Sequence, residues 1–121
     1  MQIYTLRENQ NGKTAFEHDN LALRGSGTMM SEVSTLVSDP ENCERFFFAE
    51  LPPGTSTGFA PATRKQLCVC LSGRLDVEIG SEQRLELEAG DVLRLKNTSG
   101  SGHAYTVKGE KAVKLLIVQM E

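Results

Sequence analysis

The segment that decides the fold is residues 54–73, with the sequence GTSTGFAPATRKQLCVCLSG. It begins and ends with glycine, and the half after Lys65 is mostly apolar, which favours an extended strand. Successive side chains of a strand point to opposite faces of the sheet, so every second residue lies on the same face. The residues that share one face here are Ala60, Ala62, Arg64, Gln66, Cys68 and Cys70.

The rest of the chain predicts more strands. Residues 74–79 (RLDVEI) and 84–88 (RLELE) alternate between apolar and charged side chains on either side of a glycine turn, which is typical of a β-hairpin. No stretch of ten or more residues has a helical period, although residues 38–44 allow one capped turn. Many short strands separated by glycine turns favour an all-β sandwich or barrel. Further strands are predicted at residues 33–37, 45–51, 66–71, 91–95 and 113–118, and in the stretch that holds both His103 and Tyr105.

Composition limits the class of protein. The 121 residues fit one domain, 1–121, in which residues 1–25 form an N-terminal arm or strands. A net charge of −3 argues against a nucleic-acid or anionic-membrane partner, because both require a basic surface. The longest apolar run, residues 115–118, is far shorter than the roughly 20 residues of a membrane span.

The cysteines indicate a cytoplasmic protein. The chain has three of them, an odd number, and Cys68 and Cys70 are too close along one strand to form an unstrained disulfide. The N-terminus also lacks the apolar run of a secretion signal. We therefore expect reduced thiols and a cytoplasmic location.

The glycine spacing resembles the first motif of the cupin family, G-x5-H-x-H-x3–4-E-x6-G, with Gly54 and Gly73 at its glycines. Gly90 begins a GDV sequence that resembles the opening of the second cupin motif, and His103 stands at that motif's histidine. Residues 91–102 separate Gly90 from His103, two more than the pattern has, and Lys96 stands at its proline.

The resemblance covers residues 45–118. Residues 59–66 (FAPATRKQ) and 97–103 (NTSGSGH) are also similar to the corresponding segments of a group of small, uncharacterised cupins. It implies a cupin double-stranded β-helix, the RmlC-like jelly-roll barrel. Small cupins commonly form homodimers by exchanging or pairing edge strands, so the resemblance also implies a homodimer.

In the cupins, two histidines and a glutamate of the first motif and a histidine of the second hold a divalent metal inside the barrel. The residues at those positions here are Ala60, Ala62, Gln66 and His103. A methyl group binds no metal and an amide is a weak, neutral ligand, so only His103 is a good ligand. The resemblance therefore implies a barrel without its metal and without another cofactor.

Six residues are candidates for ligand binding in the barrel: Gln66, His103, Arg64, Cys68, Cys70 and Tyr105. Gln66 needs hydrogen-bond partners inside a barrel, either His103 or a bound molecule. Arg64 shares the inward parity and is a candidate to clamp a carboxylate or phosphate at the rim. The two cysteines are expected on the cavity floor. His103 is a candidate acid or base, since its ordinary pKa suits proton transfer, or a satisfied structural residue.

Three functions compete. The first is a metal-free cupin that binds an unknown small molecule in the barrel, since an apolar cavity with a few convergent polar groups is the usual ligand site. The second is a metal-independent enzyme similar to sugar-nucleotide epimerases and isomerases, with His103 and Tyr105 as acid and base. The third is a metal-dependent dioxygenase or isomerase, which the substituted ligand positions disfavour.

Overall fold

The computed structural model describes residues 1–25, 35–80 and 83–121, and the described residues contain no helix. None of them therefore forms a helix long and apolar enough to cross a membrane. The strands are β1 (Gln2–Glu8), β2 (Thr14–Asn20), β3 (Arg24–Gly25), β4 (Leu36–Val37), β5 (Cys43–Leu51), β6 (Gln66–Ser72), β7 (Arg74–Ile79), β8 (Gln83–Leu87), β9 (Val92–Leu95), β10 (His103–Lys108) and β11 (Val113–Met120).

The strands form an all-β jelly roll of packed sheets, which confirms the predicted all-β fold class. A six-stranded sheet has the order β2-β1-β9-β6-β11-β5, and a three-stranded sheet has the order β10-β7-β8. The strictly alternating segments are the antiparallel hairpin β7–β8, in which Leu75 lies opposite Leu87 and Val77 opposite Leu85. Their apolar faces are buried against the six-stranded sheet, since Leu75, Val77 and Leu93 belong to one core cluster.

The N-terminus forms strands rather than a detached arm. β1 and β2 make an antiparallel hairpin, and β1 joins the main sheet by pairing in parallel with β9. Leu6 is completely buried in the core, which ties this hairpin to the barrel.

One sequence prediction is wrong, and parts of two others concern residues outside the described ranges. The capped turn expected at residues 38–44 is absent, and residues 38–42 have no regular structure. The reason is a tertiary contact: Arg94 on β9 donates two hydrogen bonds to the Glu41 carboxylate, of 2.7 and 2.9 Å, and so holds this segment against the sheet. Residues 33 and 34 of the strand predicted at 33–37 lie outside the described residues, and so does residue 81 of the predicted hairpin turn.

Two glycines let the β9–β10 loop approach other backbone closely. Gly102 has a φ of +79°, and a Cβ atom there would lie 2.3 Å from the carbonyl carbon of Ala60. Gly100 has a φ of +84°, and its Cβ would lie 2.2 Å from the carbonyl oxygen of Gly12. Neither position accepts a larger residue without movement, so these glycines allow the close packing of the loop that precedes His103.

Candidate functional site

A cavity of about 260 Å³ that is open to solvent is lined by all four residues at the positions of the family's metal ligands. Gln66 reaches it from the first residue of β6, and His103 and Tyr105 reach it from β10. None of the residues that line it carries a carboxylate, an ammonium or a guanidinium group. They are Thr57, Gly58, Ala60, Pro61, Ala62, Thr63, Gln66, His103 and Tyr105.

The wall of the cavity is the segment of residues 57–63, which runs beside β10. The backbones of Ala60 and His103 exchange two hydrogen bonds of 3.1 Å each, and the N–H of Thr57 donates to the carbonyl of Tyr105 over 2.9 Å. The N–H of Ala62 donates to the carbonyl of Asn97 over 2.9 Å. These bonds fix the first-motif residues 60 and 62 against the second-motif histidine.

His103 is buried, with 6% of its surface exposed, and both of its ring nitrogens have partners. Nδ1 lies 2.8 Å from Asn97 Nδ2, and Nε2 lies 2.8 Å from the hydroxyl oxygen of Tyr105. Burial lowers the pKa of His103 to about 4, because desolvation disfavours the charged imidazolium. The ring is therefore neutral near pH 7 and carries a single N–H.

Tyr105 is also neutral. Burial raises the pKa of its phenol, and the nearby thiol of Cys68 contributes in the same direction. The rings of His103 and Tyr105 meet edge to face, with centroids 4.8 Å apart. The pair is thus a fixed, uncharged unit on one strand.

Gln66 is bonded to a residue that the sequence did not indicate. Its Oε1 accepts a hydrogen bond of 3.2 Å from Gln119 Nε2 on β11, and Gln119 Oε1 accepts one from Arg45 Nε on β5. We call these three side chains the Arg45–Gln119–Gln66 relay. The direct hydrogen bond between Gln66 and His103 that we considered from the sequence is not formed. Antiparallel pairing places Gln119 directly opposite Gln66, and no sequence spacing shows that neighbour.

Asn97 is the second residue that sequence reasoning missed as part of the site. It is fully buried in the β9–β10 loop, and its Oδ1 has no hydrogen-bond partner among the described residues. From sequence it stood out only as part of the stretch before His103, with no sign that its side chain reaches the imidazole.

Three other predicted ligand-binding residues lie away from the cavity surface. Cys68 and Cys70 belong to the hydrophobic core cluster instead of the cavity floor. Burial raises the pKa of the Cys68 thiol to about 12 and also raises that of Cys70. Arg64 forms an ion pair with Glu44 at the start of β5, so its guanidinium is turned toward a residue of its own chain.

The residues present do not fit the metal that the family implies. Ala60 and Ala62 have no donor atom, the Gln66 oxygen is bonded to Gln119, and both nitrogens of His103 are hydrogen-bonded. No group of three or more His, Cys, Asp or Glu side chains within residues 1–25, 35–80 and 83–121 is placed to hold a metal ion. Divalent metals need several such ligands converging on one point.

Solved structures share this fold. A Cupin 2 conserved barrel domain protein from Salinispora arenicola matches with a TM-score of 0.53 and 20% identity, over 84% of this chain and 82% of that one. A protein from Thermotoga maritima described as a predicted oxalate decarboxylase matches with a TM-score of 0.52 and 20% identity, over 98% of this chain and 92% of that one. At this identity the likeness concerns the fold alone. A search of curated proteins finds no match.

The family follows from the sequence match and the architecture together. The model of the cupin domain matches residues 47–119, which is more than half of the chain and includes both motifs. The jelly roll, with its second-motif histidine buried on β10, is the arrangement that this match implies. The chain therefore belongs to the cupin family.

Proposed function

We propose that the protein is a metal-free cupin that binds a small molecule in the cavity between Gln66 and His103. One observation carries the proposal: the four positions that would hold a metal converge on a cavity with no metal-binding set and with neutral polar and aliphatic walls. A concave site with few, fixed polar groups is the usual form of a small-molecule site.

The contacts of His103 favour binding over proton transfer. A base that takes a proton from a substrate needs a free nitrogen within reach of it. Both ring nitrogens of His103 are occupied by Asn97 and Tyr105, and its lowered pKa makes it a weak base. An epimerase-like mechanism would have to break one of these hydrogen bonds in every cycle.

The test uses protein purified without chelators and examined by native mass spectrometry and elemental analysis. We expect substoichiometric transition metal, a retained small molecule, and fragments that shift the NMR signals of Gln66 and His103. Ala60→Leu places a larger side chain in the cavity wall. This variant should retain no small molecule and should bind no fragment. Ala22→Leu, an exposed site outside the cavity, should leave both kinds of binding unchanged.

Two results would overturn the proposal. One is a full equivalent of metal that is lost in His103→Gln. The other is a cavity to which no fragment binds and from which no molecule is released on denaturation.

The proposal includes a homodimer that forms through β5, an edge strand of the six-stranded sheet. The exposed fractions of Phe46, Phe47 and Phe48 are 62%, 42% and 68%, which is a liability on an unpaired edge. Antiparallel pairing of two copies about Phe47 would place Phe46 opposite Phe48 of the second copy on one face and Phe47 opposite its counterpart on the other, so each ring gains an apolar cross-strand neighbour. Light scattering should give a dimer for the wild type and a monomer for Phe47→Lys, and a monomeric wild type would contradict the pairing.

The proposal also places the protein in the cytoplasm. Its three cysteines are free thiols, which suits a reducing compartment. Fractionation of the source cells would test this location, and recovery with secreted proteins would contradict it.

A further inference from the structure

The direction of every hydrogen bond in the Arg45–Gln119–Gln66 relay is determined by its first member. A guanidinium only donates, so the side-chain oxygen of Gln119 must face Arg45 and its NH₂ group must face Gln66. The side-chain oxygen of Gln66 therefore faces Gln119 and accepts its hydrogen bond. The NH₂ group of Gln66, which has no partner among the described residues, is the group that it offers to a ligand in the cavity as a donor.

The side chains around His103, on the opposite side of the cavity, also leave a hydrogen-bond donor for a ligand. Asn97 donates from Nδ2 to His103 Nδ1, which leaves one buried acceptor, Asn97 Oδ1, without a partner. The flipped amide would instead leave a buried NH₂ group unpartnered, and unpaired buried donors are the rarer defect in folded proteins. With Nδ1 accepting, the single proton of the neutral ring lies on Nε2 and is donated to the hydroxyl oxygen of Tyr105. The Tyr105 hydroxyl hydrogen is therefore left to donate.

The cavity is thus bounded on both sides by hydrogen-bond donors, and no acidic side chain lines it. We infer that its ligand is a small organic acid, bound through carboxylate oxygens that accept hydrogen bonds from the Gln66 amide and the Tyr105 hydroxyl. This inference rests on the proposed small-molecule function and names the ligand class for it.

The relay also polarises the Gln66 amide in the direction that favours a carboxylate. Arg45 is a permanent cation at the outer end, and hydrogen bonds in series polarise one another in the same direction. The amide hydrogens of Gln66 are thereby more acidic than those of an isolated glutamine. A ligand that carries an ammonium group would meet donors on both walls and no carboxylate to pair with.

Binding is tested on the full chain with acetate, pyruvate and benzoate as probes, and with benzylamine and benzyl alcohol as controls of similar shape. We expect the carboxylates to shift the side-chain NH₂ signals of Gln66 saturably, and the two controls to leave them unmoved. Tyr105→Phe should weaken benzoate about tenfold, since a hydrogen bond to a charged group is lost. Tyr4→Phe alters the other tyrosine, which lies outside the cavity, and should bind benzoate like the wild type.

A second measurement tests the hydrogen-bond directions without any ligand. The ring nitrogens of His103 are observed by ¹⁵N NMR, with His18→Gln used to assign the signals of the two histidines. We expect a neutral His103 ring with its proton on Nε2. A proton on Nδ1, or on both nitrogens at neutral pH, would reverse the direction of the Tyr105 hydroxyl and overturn the inference.

The failure of this inference differs from the failure of the proposed function. If benzylamine or benzyl alcohol shifts Gln66 and His103 while the carboxylates do not, the ligand class is wrong and the binding function stands. If no probe of any class shifts either residue and no molecule is retained on purification, both are wrong.

Discussion

The backbones of Ala60 and His103 exchange two hydrogen bonds of 3.1 Å and so join the two cupin motifs at the wall of the cavity. The position next to His103 is Gly102, whose positive φ and lack of a side chain permit this approach. The geometry of the site therefore depends on a glycine that does not line the cavity.

Gly102→Ala should destabilise the protein strongly. An alanine there would combine an unfavourable left-handed backbone with a Cβ 2.3 Å from the Ala60 carbonyl carbon. We expect a loss of at least about 2 kcal/mol in the free energy of unfolding, measured by urea denaturation. Gly58→Ala is the matched control, because a Cβ at that position meets no atom within 4 Å and should change stability by less than about 0.5 kcal/mol. Equal effects of the two substitutions would contradict the close packing at Gly102.

Stability should fall in mild acid because of His103. Its pKa is about 4 in the folded protein against the ordinary 6.5, so the unfolded state binds a proton more readily over that range. The free energy of unfolding therefore decreases as the pH falls from about 6.5 towards about 4. Between pH 7 and pH 5 we expect His103 to account for a loss of about 2 kcal/mol.

Urea titrations of the wild type, His103→Gln and His103→Asn at both pH values measure that loss. The variants should retain only the smaller acid dependence of the remaining groups. A wild-type profile as flat as theirs would show that His103 is not buried in its neutral form.

The three cysteines should differ sharply in reactivity. Cys43 is exposed, whereas Cys68 and Cys70 are buried and their thiol pKa values are raised. Because the thiolate is the reactive form, an aromatic disulfide reagent should modify one thiol per native chain and all three in denaturant. Cys43→Ser should remove the fast reaction, and a rapid native reaction that persists in this variant would contradict the burial of the other two.

Restoring the family's ligands should restore metal binding. The variant A60H/A62H/Q66E places two imidazoles and a carboxylate at the positions that share the cavity with His103. We expect it to hold a divalent metal after gel filtration, measured by elemental analysis, whereas the wild type does not. The same variant with His103→Gln is the control and should hold less metal. A wild type that retains as much metal as the restored variant would contradict the claim that the substitutions removed the site.

Local patterns in the sequence predict much of this barrel. The alternation in residues 74–79 and 84–88 predicts the hairpin β7–β8, because one face of each strand is buried and the other faces water. β1 was harder to predict: Thr5 is a polar residue in its buried face, and its hydroxyl is satisfied by Asp19 on β2. The parallel partner of β1, residues 92–95, is also distant in sequence.

Some residues of the candidate site could likewise be predicted from the sequence, and others could not. Motif spacing predicted that Ala60, Ala62, Gln66 and His103 are equivalent to metal ligands, and they do line one cavity. Gln119 and Asn97 could not be predicted, because each contacts its partner through a cross-strand or loop hydrogen bond that leaves no periodic signal. Parity alone also placed Arg64 and the two cysteines at the cavity, whereas an ion pair with Glu44 and the hydrophobic core hold them elsewhere.

The central claim is that this cavity binds an organic molecule in place of a metal. The most direct measurement is a high-resolution crystal structure of protein purified natively, with anomalous scattering recorded for transition metals. We predict density for a small organic molecule between Gln66 and Tyr105, with His103 still bonded to Asn97. An anomalous peak within bonding distance of a His103 ring nitrogen would contradict the claim.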